Sequence, residues 1–381
     1  MTAPTVQLPG QAVARSAFAR LDTGDPLPDF TLPDHAGRPI HLHDQTIAGA
    51  PVAIFVARGL GRSAAQQELA KFADLQPKFA ELGARILVVS GDAASDSAAL
   101  VAKRKLPFSL LCDAAGAILD ILSPNAGAGA KGREPIGITI VADANLRILK
   151  LIGRGGEAKQ AIAALLVLQK RADAVESVLI HGQAPVLIVP EVLNAEQCAR
   201  LIKMWETGDP FEGTVRGSSG RYVDPTMKRR ADVVIDEPGM VAEIQAAMAQ
   251  RVIPEIRKAF QHQVTQHEAL RVGCYDSESG GYFRRHRDDS VLETSHRRFA
   301  MTMNLNAGQY QGGFLKFPEY GPYLYRPASG GAVVFSCSLL HEAMPVTQGR
   351  RFGMFTFLYG DAEAKALAAR RAAAAAAGMP R

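Results

Sequence analysis

The sequence lacks the features that mark membrane, secreted or nucleic-acid-binding proteins. No stretch reaches about 18 consecutive apolar residues, and the opening segment has no apolar core of signal-peptide length, so a cytoplasmic protein is expected. Lys and Arg are interspersed with Asp and Glu, and the formal net charge is only +5. No tract of one sign therefore calls for nucleic acid or a membrane surface, and an anionic substrate fits equally well.

Cysteine is also scarce. The four cysteines, Cys112, Cys198, Cys274 and Cys337, lie far apart in the chain. Their spacing forms neither a C-x-x-C redox pair nor a zinc knuckle. We therefore expect buried, reduced thiols rather than a disulfide framework.

The chain does contain enough apolar material for two hydrophobic cores. With 381 residues, 47% of them hydrophobic, it exceeds what one core usually serves. Residues 1–172 alternate apolar strands, such as PVAIFVA and ARILVVSGD, with segments of helical periodicity. This alternation predicts an α/β domain around a central sheet, followed by a linker at residues 173–184 that Gly and Pro mark.

Residues 185–360 predict a different architecture. Asn194, with Gln197 three residues later, has the pattern of a helix N-terminal capping pair. After Leu270, short strands separated by Gly, Pro and polar residues dominate. Early helices followed by many strands favour a β-sandwich or jelly roll buttressed by helices. The Ala-rich tail, residues 361–381, is of low complexity and is assigned no function.

The stretch GGYFRRHRDDS places one histidine and two carboxylates within a few residues. If it leaves a strand in extended form, side chains two apart share a face, so His286 and Asp288 point to one place and Asp289 points away. His341 follows the apolar strand GAVVFSC, at a strand end where a barrel mouth would hold a ligand. Arg351 starts the next strand after a polar turn and is expected to face the same pocket.

These residue types suit one chemistry. Two imidazoles and one carboxylate on one face of an octahedron fit Fe(II) because they leave coordination positions open. A bidentate 2-oxo acid would take two of these positions and O2 the third. The far carboxylate of 2-oxoglutarate then needs a fixed cation with paired donors, which an arginine at a strand start provides.

At these residues the sequence resembles the prolyl 4-hydroxylase-like branch of the 2-oxoglutarate and Fe(II)-dependent dioxygenases, a family with a double-stranded β-helix (jelly-roll) fold. The likeness runs from APVLIVPEVL through RVGCYDSESGGYFRRHRDD to FTFLYG, about half of the chain. The resemblance implies catalytic and metal-binding residues His286, Asp288 and His341, a co-substrate anchor at Arg351, and a co-substrate pocket lined by Tyr275 and Tyr282.

The same resemblance implies an activity. It points to a hydroxylase that uses Fe(II), 2-oxoglutarate and O2, with ascorbate as reductant, and releases succinate and CO2. Peptidyl proline, or a related amino-acid or peptide substrate, is the substrate class it suggests, and small molecules stay open. The alternative is a non-catalytic oxygen- or iron-sensing scaffold whose thioredoxin-like half binds a partner.

Residues 1–172 resemble a peroxiredoxin, a thioredoxin-fold thiol peroxidase, in GDPLPDFTLPDHAGRPIHL and the strands that follow. The family carries its attacking cysteine in a P-x-x-x-T-x-x-C loop after the first long core strand, where the thiol pKa is lowered. Here the matching stretch is ARGLGRSAAQQ, which has no proline, threonine or cysteine. The resemblance therefore implies the fold without peroxidase chemistry, kept for homodimerisation or for binding a substrate protein.

Other charged residues near the motif are expected at the surface. Arg350 must point away from the pocket if Arg351 points into it. For Arg284 and Arg285, and for the KRR run at 228–230, solvated charge is favoured over substrate contact. The glycine-rich stretch 216–226 is either a mobile lid over the substrate or a connector without function.

Overall fold

The chain folds into two compact units, Arg15–Val178 and Leu179–Arg381, the second together with Met1–Ala14. Strand β1 (Val6–Gln7) pairs with Gln266–His267 of the second unit. No helix in the described part of the chain is long and apolar enough to cross a membrane. The computed structural model describes residues 6–7, 21–44, 46–122, 137–153, 157–173, 179–180, 182–217 and 220–376, so the predicted linker lies partly outside it.

In the first unit, strands and helices alternate as the apolar pattern predicts. Its strands are β2 (Thr31–Pro33), β3 (Pro39–His41), β4 (Val52–Ala57), β5 (Arg85–Ser90), β6 (Leu110–Cys112), β7 (Ile138–Ala142) and β8 (Ile148–Gly153). Its helices are α1 (Ser63–Asp74), α2 (Gln76–Glu81), α3 (Ala94–Arg104), α4 (Ala117–Leu122) and α5 (Glu157–Asp173).

The central sheet of this unit has the order β6-β5-β4-β7-β8. Strand β4 is parallel to β5 and antiparallel to β7, and it is buried at every position because apolar clusters cover both faces of the sheet. On one face Phe55 packs against Phe72, and on the other Ile54 packs near Leu111. A mixed sheet covered by helices on both faces is a thioredoxin-like fold.

The second unit is built from helices followed by many short strands. Its helices are α6 (Ala195–Thr207), α7 (Pro238–Arg251), α8 (Ile253–Phe260) and α9 (Asp361–Ala376), with 3-10 turns at Leu292–Thr294 and Pro318–Tyr320. Its strands are β9 (Leu187–Val189), β10 (Phe211–Glu212), β11 (Val215–Gly217), β12 (Gly220–Tyr222), β13 (Lys228–Arg229), β14 (Ala231–Val234), β15 (Gln266–His267), β16 (Arg271–Asp276), β17 (Tyr282–His286), β18 (Phe299–Asn304), β19 (Gln311–Gly312), β20 (Leu315–Lys316), β21 (Leu324–Tyr325), β22 (Ala332–Ser336), β23 (His341–Ala343), β24 (Val346–Gln348) and β25 (Arg350–Tyr359).

Two antiparallel sheets face each other in this unit. The major sheet has the order β10-β14-β16-β25-β18-β22-β9, with β15 also paired to β25, and the minor sheet has the order β13-β17-β23-β20-β21. The arrangement is a double-stranded β-helix, or jelly roll, with helices α6 to α8 packed on the outer face of the major sheet. Asn194 caps α6 with the reciprocal hydrogen bonds to Gln197 that the sequence predicts, a device that stabilises a helix by about 1 kcal/mol.

Side chains along β25 alternate between the hydrophobic core and the cavity between the sheets. Phe352, Met354 and Leu358 pack into the apolar layer beneath the helices, where the ring of Trp205 meets that of Phe352 at 5.3 Å. The alternate residues, including Arg351, turn to the space between the two sheets. One strand therefore supplies both the hydrophobic core and a wall of the cavity.

Candidate metal centre

Two paired strands of the minor sheet bring His286, Asp288 and His341 together. His286 ends β17, His341 begins β23, and the two are register partners across the antiparallel pair. Asp288 follows β17, and its main-chain N–H donates to the carbonyl oxygen of Cys337 at 3.0 Å. One ligand atom from each of the three side chains lies within 4.8 Å of the others, a spacing that can hold a metal ion.

Main-chain carbonyls fix the tautomer of both imidazoles. The Nδ1 of His286 lies 2.7 Å from the carbonyl oxygen of Arg284, and the Nδ1 of His341 lies 2.9 Å from that of Leu339. Because a carbonyl oxygen only accepts, each Nδ1 carries the proton and each Nε2 presents a lone pair. The two Nε2 atoms lie 3.4 Å from different oxygens of Asp288, so the donor set faces one point.

Burial and charge prepare these groups to bind a cation. Burial lowers the pKa of His341 to about 4, so the imidazole is neutral near pH 7. Burial acts to raise the pKa of Asp288, but the neighbouring His341 and His286 hold it below its usual range. Two imidazole nitrogens and a carboxylate, with Phe283 stacked on His286 at a ring distance of 3.6 Å, fit a divalent metal of the Fe(II) type.

A buried ion pair holds the loop that carries Asp288. The Nη1 of Arg297 donates to the main-chain oxygen of Asp288 at 3.2 Å. The same guanidinium grips both carboxylate oxygens of Glu268, at 2.6 and 2.9 Å, and the Nε2 of His296 lies 3.2 Å from that carboxylate. Asp289 turns away from the centre, where its side chain accepts from the hydroxyl of Ser338.

Replacing Glu268 with glutamine is expected to destabilise the second unit by about 3–5 kcal/mol at pH 7, because Arg297 loses its buried counter-charge. Burial acts to raise the pKa of Glu268, but Arg297 and His296 hold it far below its usual range. A depressed carboxylate pKa adds stability that is present above the unfolded value of about 4.3 and is lost as the pH falls.

Urea unfolding followed by the fluorescence of Trp205 measures this effect, because the chain has one tryptophan and it lies in the second unit. The difference between parent and Glu268→Gln protein should be large at pH 7 and shrink below about pH 4. Equal stability at pH 7 would show that this ion pair contributes nothing to the fold.

Arg351 lies in the same cavity as the three candidate ligands. Arg351 is 6% exposed, and its Nε and Nη1 are buried without a hydrogen-bond partner. The guanidinium lies 5.2 Å from the centre of the Tyr275 ring, and a Cβ on Gly313 would come within 3.0 Å of the Arg351 Cδ. An unpaired guanidinium held in place by its neighbours fits the carboxylate of a ligand.

The cavity between the sheets has a volume of about 250 Å³. Its lining includes Lys228 and Arg230, although the sequence predicts solvated charge for the KRR run. That prediction is wrong for both residues: Lys228 is 6% exposed and the side chain of Arg230 is 8% exposed. Only Arg229 of the run is exposed, because β13 pairs with β17 and turns its alternate residues inward.

The two candidate tyrosines occupy different places. Tyr275 is 2% exposed and lines the cavity. Tyr282 is not among the described residues that line it, since its hydroxyl donates to the main-chain oxygen of Pro225 at 2.8 Å. In the glycine-rich stretch 216–226, Tyr222 borders the cavity, whereas residues 218–219 lie outside the described residues.

The first unit has no cysteine where β4 leads into α1. Leu60 is buried there, and its N–H donates to the Oδ2 of Asp92 at 2.7 Å. Cys112, at the end of β6, is 5% exposed, and its thiol donates to the main-chain oxygen of Leu110 at 3.9 Å. All four cysteines are buried and unpaired, as the sequence predicts.

Family models match part of each unit. Residues 23–146 match the AhpC/TSA family, and residues 270–359 match the 2OG-Fe(II) oxygenase superfamily. Chloroplastic peroxiredoxin Q of Sedum lineare is 35% identical over 98 residues, which are 26% of this chain and 52% of that protein. The chain spans about half the length of the first curated relatives that it matches.

Solved structures match each half separately. Peroxidoxin BcpB from Mycobacterium tuberculosis is 27% identical and covers 42% of this chain and 100% of its own, with a TM-score of 0.35. A Pseudomonas putida prolyl-4-hydroxylase is 19% identical and covers 47% of this chain and 94% of its own, with a TM-score of 0.36. By its two family matches, the chain joins an AhpC/TSA thioredoxin-fold domain to a 2OG-Fe(II) oxygenase domain.

Proposed function

We propose that the second unit is an Fe(II)- and 2-oxoglutarate-dependent dioxygenase that hydroxylates a C–H bond and releases succinate and CO2. One observation carries the proposal: the donor atoms of His286, Asp288 and His341 converge in a cavity that also holds the unpaired guanidinium of Arg351. A metal-ligand set alone fits many proteins, whereas its combination with a buried anchor for a carboxylate fits this reaction class.

Each residue has a defined task in this proposal. When bound, Fe(II) supplies the oxygen chemistry. His286, Asp288 and His341 would hold it, and all three side chains line the cavity that would admit the co-substrate. Arg351 takes the distal carboxylate of the co-substrate and so sets its orientation, and Tyr275 supports that guanidinium. The rings of Phe283 and Phe335, packed on the two histidines, keep water from the reacting groups.

The substrate and the first unit are also proposals. A peptidyl proline or a related amino-acid or peptide substrate, with ascorbate as reductant, follows from the resemblance of the motifs around His286 and His341 to prolyl 4-hydroxylase-like dioxygenases. We propose that the first unit binds a partner or a second copy of the chain, since the segment between β4 and α1 carries no thiol for peroxide reduction.

Anaerobic addition of Fe(II) and 2-oxoglutarate to the protein should produce a weak visible charge-transfer band, and admission of air should then yield succinate. His286→Ala should lose both, because one of the two imidazole ligands is gone. No band in the parent protein would contradict the proposal. A band without succinate would instead favour the alternative, an iron- or oxygen-sensing scaffold.

A further inference from the structure

One part of the cavity wall carries more positive charge than the protein neutralises. Lys228, Arg230 and Arg271 all line the cavity. Asp232 is the carboxylate among them, and it is committed to Arg230, whose Nη2 donates to its Oδ2 at 2.7 Å. The Nζ of Lys228 lies farther from that carboxylate, at 3.6 Å. Buried charge in excess of its partners is costly, so this wall is suited to an anion.

Arg271 is the unpaired member of the group. Its Nε is buried without a hydrogen-bond partner, and Arg271 forms no ion pair with any residue that the structure describes. The carboxylates that act on it, Asp232 and Glu268, are already engaged by Arg230 and Arg297. A guanidinium in this position has its donors free for a ligand.

A second unpaired polar group lies in the same row of the sheet. Arg271 and Thr302 are both register partners of Phe355, one on each side of β25. The hydroxyl of Thr302 is buried without a hydrogen-bond partner, and Thr302 also lines the cavity. Buried hydroxyls are satisfied in most proteins, so an unpaired donor at each end of one row indicates that a ligand completes them.

The co-substrate does not account for this row. Arg351 is the register partner of Tyr275 on β16. Tyr275 lies four residues from Arg271 on that strand, a separation of about 13 Å at about 3.3 Å per residue. In the proposed reaction, one carboxylate of 2-oxoglutarate meets Arg351 and the other end meets the metal ligands. Both of its charged ends are therefore already bound, and the anion at Arg271 must belong to another molecule.

We propose that Arg271, with Lys228 beside it and Thr302 across the row, forms a subsite for a carboxylate of the primary substrate. The substrate is then a small carboxylic acid, such as an amino acid or a short peptide, rather than an uncharged stretch of polypeptide. This inference rests on the proposed function and names the substrate class of that site. The cavity volume of about 250 Å³ lies at the small end of ligand pockets, which span about 300–1,000 Å³, and therefore favours a small substrate.

Of Lys228 and Arg271, only Arg271 keeps its charge at every pH of interest. Burial and the nearby Arg230 lower the pKa of Lys228 to about 7, so its amine is partly neutral near pH 7 in the free protein. A guanidinium keeps its proton at any such pH. Variants of Arg271 therefore test the subsite most directly.

The probes are the L-amino acids and short peptides, each paired with its C-terminal carboxamide. Binding is measured by calorimetry on the full chain loaded with Mn(II) and N-oxalylglycine, an inert analogue of the co-substrate. At least one acid should bind, and its carboxamide should bind at least about tenfold more weakly, since the charge-assisted contact is lost. Retained affinity in the amide of a peptide with an acidic side chain would place the recognised carboxylate on that side chain.

Arg271→Gln should weaken binding of the acid by about 10- to 100-fold and leave N-oxalylglycine binding unchanged. Arg271→Lys serves as the second variant in case the glutamine variant folds poorly. It keeps the charge and should retain part of the affinity. The matched control is Arg229→Gln, which removes the same charge from an exposed position nearby.

The inference is overturned if no acid binds the parent protein, if acid and amide bind alike in ligands that lack an acidic side chain, or if Arg271→Gln binds the acid normally. The proposed function fails by a different result, namely absent binding of 2-oxoglutarate and N-oxalylglycine. The two failures are therefore distinguishable.

Discussion

Asp288→Asn is expected to weaken Fe(II) binding by more than about 100-fold and to abolish succinate formation. Loss of a partner outside the ligand set typically costs about 10- to 100-fold in metal affinity, and here the charged ligand itself is lost. The change is isosteric, and the main-chain bonds of Asp288 to Cys337 and Arg297 do not involve the carboxylate. The loss should therefore occur in a folded protein.

Asp289→Asn is the matched control for this experiment. It removes the same charge from the next residue, whose side chain turns away from the centre to Ser338. Equilibrium titration with Fe(II) under anaerobic conditions should give the parent affinity for Asp289→Asn within about threefold, which is about 0.7 kcal/mol. Parent-like iron affinity in Asp288→Asn, or a large loss in Asp289→Asn, would mean that the metal is held elsewhere.

The spacing of the sequence is sufficient to separate these two aspartates. Extended residues two apart share a face, which predicts that His286 and Asp288 point together. The structure places their ligand atoms 3.4 Å apart, with Asp288 in the turn that follows β17. The capping pair at Asn194 is likewise readable, because its hydrogen bonds join residues three apart. Features that depend on neighbours in sequence are thus within reach of the sequence alone.

The buried cations of the cavity wall were not readable in this way. Lys228 and Arg230 look like surface charge because a run of three cations, KRR, usually lies in water. They are buried by pairing with distant strands: Lys228 with Phe283, and the next strand with β16. Gly273 makes room for the ion pair above it, since a Cβ there would come within 2.6 Å of the Asp232 Oδ1. Gly213 makes room for Lys228 in the same way, since a Cβ there would come within 2.6 Å of the Lys228 Nζ.

Arg351→Gln is expected to weaken 2-oxoglutarate binding by about 30- to several thousand-fold, which corresponds to the roughly 2–5 kcal/mol lost when a buried charge pair is truncated. Fe(II) affinity should change little, because Arg351 is not one of the candidate metal ligands. The co-substrate dissociation constant is measured by anaerobic titration of the iron-loaded protein, with the visible band as signal. Arg351→Lys should be intermediate, since lysine keeps the charge but lacks the paired donors.

Arg350→Gln separates the anchor from a general effect of charge. Arg350 is exposed and pairs with Glu206 at 2.9 Å on the other side of β25, so its loss should leave the dissociation constant within about threefold of the parent value. Because adjacent strand residues face opposite sides, the two arginines differ in direction rather than in chemistry. A large loss in Arg350→Gln, or none in Arg351→Gln, would show that the co-substrate carboxylate does not enter between the two sheets at this strand.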